Sequence, residues 1–308
     1  MKQRIYRHPI VVRLTHWVSA LALFVLAMSG MQIFNAHPAL YASDASTFQS
    51  PVLSISGSAE MDAPEGWVQL GSHRLYTTHV LGYGPNGMGG EGVRAFPSWA
   101  TIPAYQDLAD GRRWHLFFAW IFGICALLYA RWAFDLRPKL ADLRALPAAL
   151  KAHLLPWRVK PRAHLNPMQK LSYFGVVFIV APIIILSGLA LGPSVDSWAP
   201  WLPALFGGRQ FARIWHFGGM IALMAFFLVH ISMVALTGVW NNLRSMITGW
   251  FVVEPELAFS TASAGAPAHA APPVVVAPVV EAPVVETPVA EAPVVELPPT
   301  PPTEEGSS

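Results

Sequence analysis

Four of the eleven histidines in this 308-residue chain lie in long apolar stretches, where an ionisable side chain is costly and therefore indicates a function. They are His16, His115, His216 and His230. His216 and His230 are 14 residues apart in one stretch, which in an α-helix is about 3.9 turns and about 21 Å of rise. Their imidazoles would therefore point the same way at two different depths. Because imidazole nitrogens bind transition metals, this spacing indicates ligation of a metal or of haem iron.

The apolar stretches that carry these histidines are long enough to cross about 30 Å of hydrocarbon at about 1.5 Å per residue. We predict four membrane spans, over residues 14–34, 114–134, 171–192 and 214–240. Apart from Arg131, which can snorkel to the interface, they contain no Asp, Glu, Lys or Arg. Only 12% of the chain is charged, against about 25% in a typical soluble domain. The sequence therefore predicts a multi-pass, all-α membrane protein.

The basic residues predict how the spans are oriented. Four of them lie in residues 1–13 and nine in the connection 131–170, whereas the 79-residue segment 35–113 has only four. The positive-inside rule then places the first two segments, and both chain ends, in the cytoplasm. We expect the spans to cross a bacterial inner membrane. Residues 35–113 become a periplasmic loop. A secretory signal sequence is the alternative for the first span, but that span is longer than a signal peptide requires.

With this orientation the histidines fall into two pairs at matched depths. His115 and His216 lie near the outer surface, and His16 and His230 lie near the inner surface. Two stacked pairs of imidazoles in an apolar four-helix bundle are what two six-coordinate b-type haems require. Bis-histidine ligation leaves no position for dioxygen, so electron transfer across the membrane is the predicted activity.

Arginines near these histidines are candidates to bind haem propionates. Arg13, Arg112 and Arg213 each precede a paired histidine by three residues, which is the spacing of one helix face. Arg113 is adjacent to Arg112 and is included with them. Snorkelling at the membrane interface is the alternative, and it is strongest for Arg13 because the inner side already favours positive charge.

Several other classes of protein are excluded or disfavoured. The 20 basic residues nearly balance 18 acidic ones, which leaves no positive field for nucleic acid. One cysteine, Cys125, cannot form an internal disulfide or hold an iron–sulfur cluster. A histidine-based metal or solute transporter and a structural membrane anchor remain as alternatives. The absence of carboxylates from the spans disfavours the transporter, and the matched histidine depths disfavour the anchor.

The composition changes abruptly after residue 254. Residues 255–308 are rich in Pro, Ala, Val and Glu, with proline every five residues from Pro278 to Pro298. Because proline opposes both helix and central strand, we predict a disordered cytoplasmic tail. A plain solvated tail is the simplest interpretation, and a linker or docking role is the alternative. Residues 1–254 then form the di-haem membrane domain.

Several short motifs resemble those of a known family. They are Arg13-Leu-Thr-His16-Trp17, Arg113-Trp-His115, Asn166-Pro-Met-Gln169, Trp215-His216 and Val229-His230. Over residues 5–250 the chain resembles the bacterial cytochrome b561 and nickel-hydrogenase b-type cytochromes. The segment from Gln32 to Tyr41 is most similar to the branch of thiosulfate reductase cytochrome b subunits.

This resemblance implies a di-haem subunit that passes electrons between the quinone pool and a separate catalytic oxidoreductase, often a molybdopterin enzyme. It is an electron-transfer subunit rather than a stand-alone enzyme. The family's haem ligands correspond to the four paired histidines. The resemblance also implies a quinone site at Asn166 and Gln169, with His164 as a candidate proton carrier, although Asn-Pro is also a common start of a helix.

The 79-residue outer segment differs from the simplest family members and contains a cluster of glycines between Gly82 and Gly92. A loop of that length is seldom without structure or purpose. We expect it to cover the outer haem and to bind the periplasmic partner. A flexible loop without a partner is the alternative.

Overall fold

A computed structural model describes residues 3–44, 46, 50–60, 63–153 and 166–253. The chain divides into two units, Met1–Val275 and Val276–Ser308, and the described residues belong to the first. The predicted tail and His164 lie outside the described residues.

Nine α-helices are present in the described ranges. They are α1 (Ile10–Ala36), α2 (Leu108–Ala133), α3 (Leu140–His153), α4 (Pro167–Gly175), α5 (Ala181–Ala190), α6 (Pro193–Asp196), α7 (Trp201–Leu205), α8 (Arg209–Leu236) and α9 (Val239–Thr248). The four predicted spans are confirmed as apolar helices of membrane-crossing length: α1, α2, the continuous segment Pro167–Ala190 and α8. The fourth ends at Leu236 rather than Trp240, because Gly238 adopts φ 104°, which breaks the helix.

The third span contains a single turn of π-helix, Val176–Val180, between α4 and α5. There the Ala181 N–H bonds to the Val176 carbonyl, five residues back. Pro182 follows directly and has no N–H to donate, which accounts for the local change in the hydrogen-bond pattern.

The spanning helices associate as two pairs with space between them. α1 packs along α2, and α5 packs along α8. Gly219 lets α8 approach α5 closely, because a Cβ there would lie 3.1 Å from the Ile184 Cβ. Between the pairs is a cavity of about 3020 Å³ that runs along the bundle. We call its end near the α1–α2 connection the outer end and the opposite end the inner end, following the predicted orientation.

The outer segment contains folded β-structure, where the sequence predicted only a long loop. Its strands are β2 (Ala39–Leu40), β3 (Leu53–Ser58), β4 (Glu65–Leu70), β5 (His73–Tyr76), β6 (Gly82–Pro85) and β7 (Glu91–Arg94). The first four form an antiparallel sheet in sequence order, and β6 and β7 form a hairpin. Gly82 allows the hairpin to lie against the sheet. Its φ is 83°, which favours glycine, and a Cβ there would lie 2.2 Å from the Ser56 carbonyl oxygen.

This β-structure is fixed to the outer end of the bundle by apolar and polar contacts. Phe34, Leu40 and Ile55 form a buried cluster against Phe217 of α8. The side chain of Asn35 accepts a hydrogen bond from the Phe96 N–H at 2.8 Å and donates one to the Phe96 carbonyl at 3.3 Å. The sheet therefore covers this end of the cavity. That it covers a haem stays a prediction.

The two ends of the described domain meet at the inner end. Strand β1 (Gln3–Tyr6) pairs antiparallel with β8 (Trp250–Val253), with Gln3 opposite Val253 and Tyr6 opposite Trp250. The pairing requires both strands to lie on one side of the bundle, in agreement with an even number of crossings. Sequence reasoning missed this sheet as well as the helices α3 and α9.

Candidate functional site

The four histidines face one another in the two pairs that the sequence predicted. The ring centroids of His115 and His216 are 6.0 Å apart. Those of His16 and His230 are 6.3 Å apart. All four residues line the cavity between the helix pairs, the first pair toward its outer end and the second toward its inner end.

These distances fit one metal ion between the rings of each pair. With a metal–nitrogen bond of about 2 Å and about 1 Å from nitrogen to ring centre, two axial imidazoles have centroids about 6 Å apart. The cavity also has room for large groups, because its volume of about 3020 Å³ exceeds the roughly 300–1,000 Å³ of an ordinary small-molecule site. The donor set therefore fits two haem groups.

Glycines adjoin both rings of the outer pair. A Cβ on Gly188 would lie 2.9 Å from Cε1 of His216, and one on Gly30 would lie 3.3 Å from Cε1 of His115. Contacts under 3.0 Å essentially never occur for a real Cβ, so a side chain at position 188 would make the His216 ring shift from its observed position. Sequence reasoning did not identify Gly188, because small residues are also common at ordinary contacts between membrane helices.

Polar groups contact the outer rings at Nδ1. Ser29 Oγ lies 3.1 Å from His115 Nδ1. His216 Nδ1 lies 2.9 Å from the Ile184 carbonyl oxygen and 3.3 Å from Ser187 Oγ. Both serines are fully buried. Since Nδ1 is engaged on each ring, Nε2 is the nitrogen available to a metal.

Aromatic rings surround the inner pair instead. Trp17 contacts His16 edge-on at 5.2 Å between ring centroids. Phe226 stacks on His230 at 5.7 Å, and Tyr173 contacts the same imidazole at 6.3 Å. The two sites therefore differ in what holds their histidines.

Two of the four predicted propionate-binding arginines line the cavity, Arg112 and Arg213. Arg213 also donates to the His37 carbonyl at 3.0 Å. Arg113 and Arg13 are not among the lining residues. Arg113 donates to Asp110 at 2.8 Å, because two residues of helix turn it about 200° away from His115.

Arg13 is turned away from the cavity by the short helix at the inner end. It donates to the Ile247 carbonyl of α9. Arg7 and His8, for which the sequence pattern indicated no role at the site, line the inner end of the cavity instead. Burial lowers the pKa of Arg7 from its usual value, and burial together with Arg7 lowers the pKa of His8 to about 4. His8 is therefore neutral at pH 7.

The predicted quinone residues lie at the same inner end, and both line the cavity. Asn166 caps α4 by accepting from the Met168 N–H at 2.9 Å, and Gln169 accepts from the Asn166 N–H at 3.1 Å. They thus have the helix-capping role that the sequence allowed as an alternative. Nearby, Asp142 pairs with Lys170 at 2.9 Å. A bond from the Lys139 N–H, and then Lys170, holds the pKa of Asp142 below its usual value.

A multi-ligand metal site is not supported by the part of the chain that the structure describes. There, no group of three or more His, Cys, Asp or Glu side chains is placed to hold a metal ion. Two histidines alone leave half of a tetrahedral zinc site unfilled. The paired arrangement is instead complete for axial ligation of haem iron.

The helical architecture and the paired histidines are those of a membrane b-type cytochrome. The chain belongs to the prokaryotic cytochrome b561 family, whose model it matches over residues 7–249. A relative in Azospira oryzae, named as the protein-methionine-sulfoxide reductase subunit YedZ1, is 32% identical over 251 residues, 81% of this chain and 100% of the relative. A Ni/Fe-hydrogenase B-type cytochrome subunit of Cupriavidus necator is 24% identical over 74% of this chain and 76% of the relative. The thiosulfate reductase branch stays a prediction.

We expect Gly188→Ala to remove one haem group, because its methyl group would displace the His216 ring. Haem per chain in the purified protein should fall by about half, with the second histidine pair unaffected. Gly218→Ala is the matched control, since a Cβ there meets nothing within 4 Å. Equal haem contents in the two variants would contradict the assigned role of Gly188.

Proposed function

We propose that this protein is a di-haem subunit that relays electrons between the quinone pool and a periplasmic catalytic oxidoreductase. The observation that carries the proposal is the presence of two facing histidine pairs in one cavity, with ring centroids 6.0 and 6.3 Å apart. The family membership supports b-type haem as the cofactor. Both chain ends lie in the cytoplasm in this proposal.

Each part of the relay has assigned residues. His115 and His216 bind the outer haem, and His16 and His230 bind the inner haem. When bound, these haem groups supply reversible one-electron transfer. Arg112 and Arg213 bind propionate groups by charge-assisted hydrogen bonds. The apolar lining of the cavity keeps water from the ligand nitrogens.

The β6–β7 hairpin of the outer β-structure binds the partner in this proposal. The names of the two relatives, a reductase subunit and a hydrogenase subunit, support a redox partner. The tip of the β6–β7 hairpin carries Met88, which is 84% exposed. Asn86 Oδ1 orders this tip by accepting from the N–H groups of Met88 and Gly90, at 2.8 and 3.3 Å. An ordered loop with an exposed methionine suits protein binding, and the partner class we infer is a molybdopterin enzyme.

The quinone site lies at the inner end in this proposal. Asn166 and Gln169 supply polar groups there beside the apolar cavity lining. Their backbone-capping bonds fix both side chains at the start of α4. A quinone held there would lie at the end of the cavity that contains His16 and His230, whose bound haem would supply the one-electron transfer, and the polar cluster around Asp142 and Lys170 would pass protons to and from the cytoplasm.

The first test is a reduced-minus-oxidised visible spectrum with haem extraction on the purified protein. We expect two non-covalent b haems per chain with low-spin bands. His216→Ala should remove the outer haem and His16→Ala the inner haem, each leaving about half of the total because the two ligand pairs are separate.

The exposed surface residue His73 provides a control, and His73→Ala should retain both haems. Absence of haem from protein made with ample haem supply would contradict the proposal. Complete loss of haem in both single variants would contradict two separate sites.

Quinone binding is tested with variants that keep the helix cap. Asn166→Ser and Gln169→Glu each retain an oxygen acceptor but lose the amide N–H donors. We expect quinol-driven haem reduction to slow by about tenfold, which corresponds to about 1.4 kcal/mol for a lost polar contact. Haem content and melting temperature should match the unmodified protein. An unchanged rate in the double variant would remove both residues from the quinone site.

Partner binding is tested by Met88→Glu, which would place a charge in the proposed interface. We expect the amount of molybdopterin that co-purifies with this chain, measured by fluorescence per haem, to fall by about tenfold. Leu75→Glu is the control, because Leu75 is 67% exposed on strand β5, outside the hairpin. Equal amounts of molybdopterin with both variants would contradict docking at the hairpin. Absence of molybdopterin from the unmodified complex would contradict the inferred partner class.

A further inference from the structure

The outer histidines contact two copies of the same short sequence pattern. Leu26-Ala-Met-Ser29-Gly30 lies on α1, and Ile184-Ile-Leu-Ser187-Gly188 lies on α5. In each copy a serine and a glycine are adjacent, and an apolar residue precedes the serine by three positions. The helices that carry them belong to different pairs, so the outer site has a similar support on both sides.

Each ring rests on the serine–glycine step of the neighbouring helix in its own pair. His115 of α2 contacts Ser29 and Gly30 of α1, and His216 of α8 contacts Ser187 and Gly188 of α5. The glycine permits close approach of the ring, and the serine then reaches Nδ1. The opposite nitrogen, Nε2, is left for the metal.

The hydrogen-bond directions fix the tautomer of His216. The Ile184 carbonyl can only accept, so His216 Nδ1 must carry the hydrogen that it donates over 2.9 Å. Ser187 Oγ donates its own hydrogen to the same carbonyl at 3.2 Å and offers a lone pair to Nδ1. In the neutral imidazole of His216 this leaves Nε2 unprotonated, as a metal ligand requires.

The same arrangement holds His115. Ser29 Oγ donates to the Val25 carbonyl at 2.7 Å, which leaves its lone pairs to accept from His115 Nδ1 at 3.1 Å. A donated Nδ1–H gives the ring more negative charge and makes Nε2 a stronger donor to iron.

The inner pair lacks this support among the described residues. His16 Nδ1 is buried, and within the described ranges no hydrogen-bond partner reaches it. Its neighbours are aromatic rings, as are those of His230. The polar support therefore distinguishes the outer site from the inner one.

We propose that Ser29 and Ser187 are positioning residues that fix the outer histidines as Nδ1–H tautomers, strengthen haem binding there and lower the reduction potential of the outer haem. The inference rests on the proposed di-haem function. The direction of the potential follows because a more electron-rich imidazole stabilises ferric iron over ferrous iron.

The test compares Ser29→Ala, Ser187→Ala and the double variant by redox titration and by haem release to an acceptor apoprotein. The outer haem is identified as the one that His216→Ala removes. In the double variant we expect the potential of the outer haem alone to rise, by about 59 mV for each tenfold loss of preference for ferric iron. We expect its haem to leave about 10–100 times faster.

Ser232→Ala is the matched control, because Ser232 of α8, like Ser29 of α1, donates to the carbonyl four residues back but is exposed. Retention of the inner haem at an unchanged potential shows that each variant is folded. Unchanged outer potential and release in all serine variants would overturn this inference while leaving the di-haem function intact. An equal shift of both haems would also overturn it, and a lack of haem in the unmodified protein would overturn both proposals.

Discussion

The rest of the structure depends on how four imidazoles are held in an apolar interior. Each would be costly there alone, and the helices place them in two pairs whose separations suit a shared metal ion. The two helix pairs pack well internally but leave the space between them unfilled by side chains. The proposed haem groups supply both the missing apolar surface and the bonds that join one helix pair to the other.

The two ends of the bundle differ in structure. At the outer end, a sheet anchored by Phe34 and Asn35 covers the cavity and presents an ordered hairpin to the aqueous side. At the inner end, the start of α4 and the Asp142–Lys170 pair provide polar groups beside an opening lined by apolar residues. This division agrees with a relay that meets a protein on one side and a small lipid-soluble molecule on the other.

The spans and the histidine pairs could be predicted from the sequence because both depend on local patterns. Apolar length identifies a span, and the 14-residue interval between His216 and His230 fixes their relative direction on one helix. The outer sheet could not, since its strands are short. The β1–β8 pair could not, since its two strands are also distant in the chain. Arg13 was predicted to bind a propionate from its spacing alone, and spacing does not show that α9 folds back and accepts a hydrogen bond from it. Ser187 was missed because a buried serine in a membrane helix usually bonds its own helix backbone, and its second contact depends on how α5 and α8 pack.

The pairing of β1 with β8 has a consequence for biosynthesis. Tyr6 emerges from the ribosome early, but its partner Trp250 is made 244 residues later. At about 5–20 residues per second, about 12 to 50 s separate the two events. During that interval the first strand has an unpaired edge and must stay on the side of the membrane where it began. Closure of this two-stranded sheet therefore follows the last crossing, and a chain with an odd number of inserted helices would leave the two strands on opposite sides of the membrane.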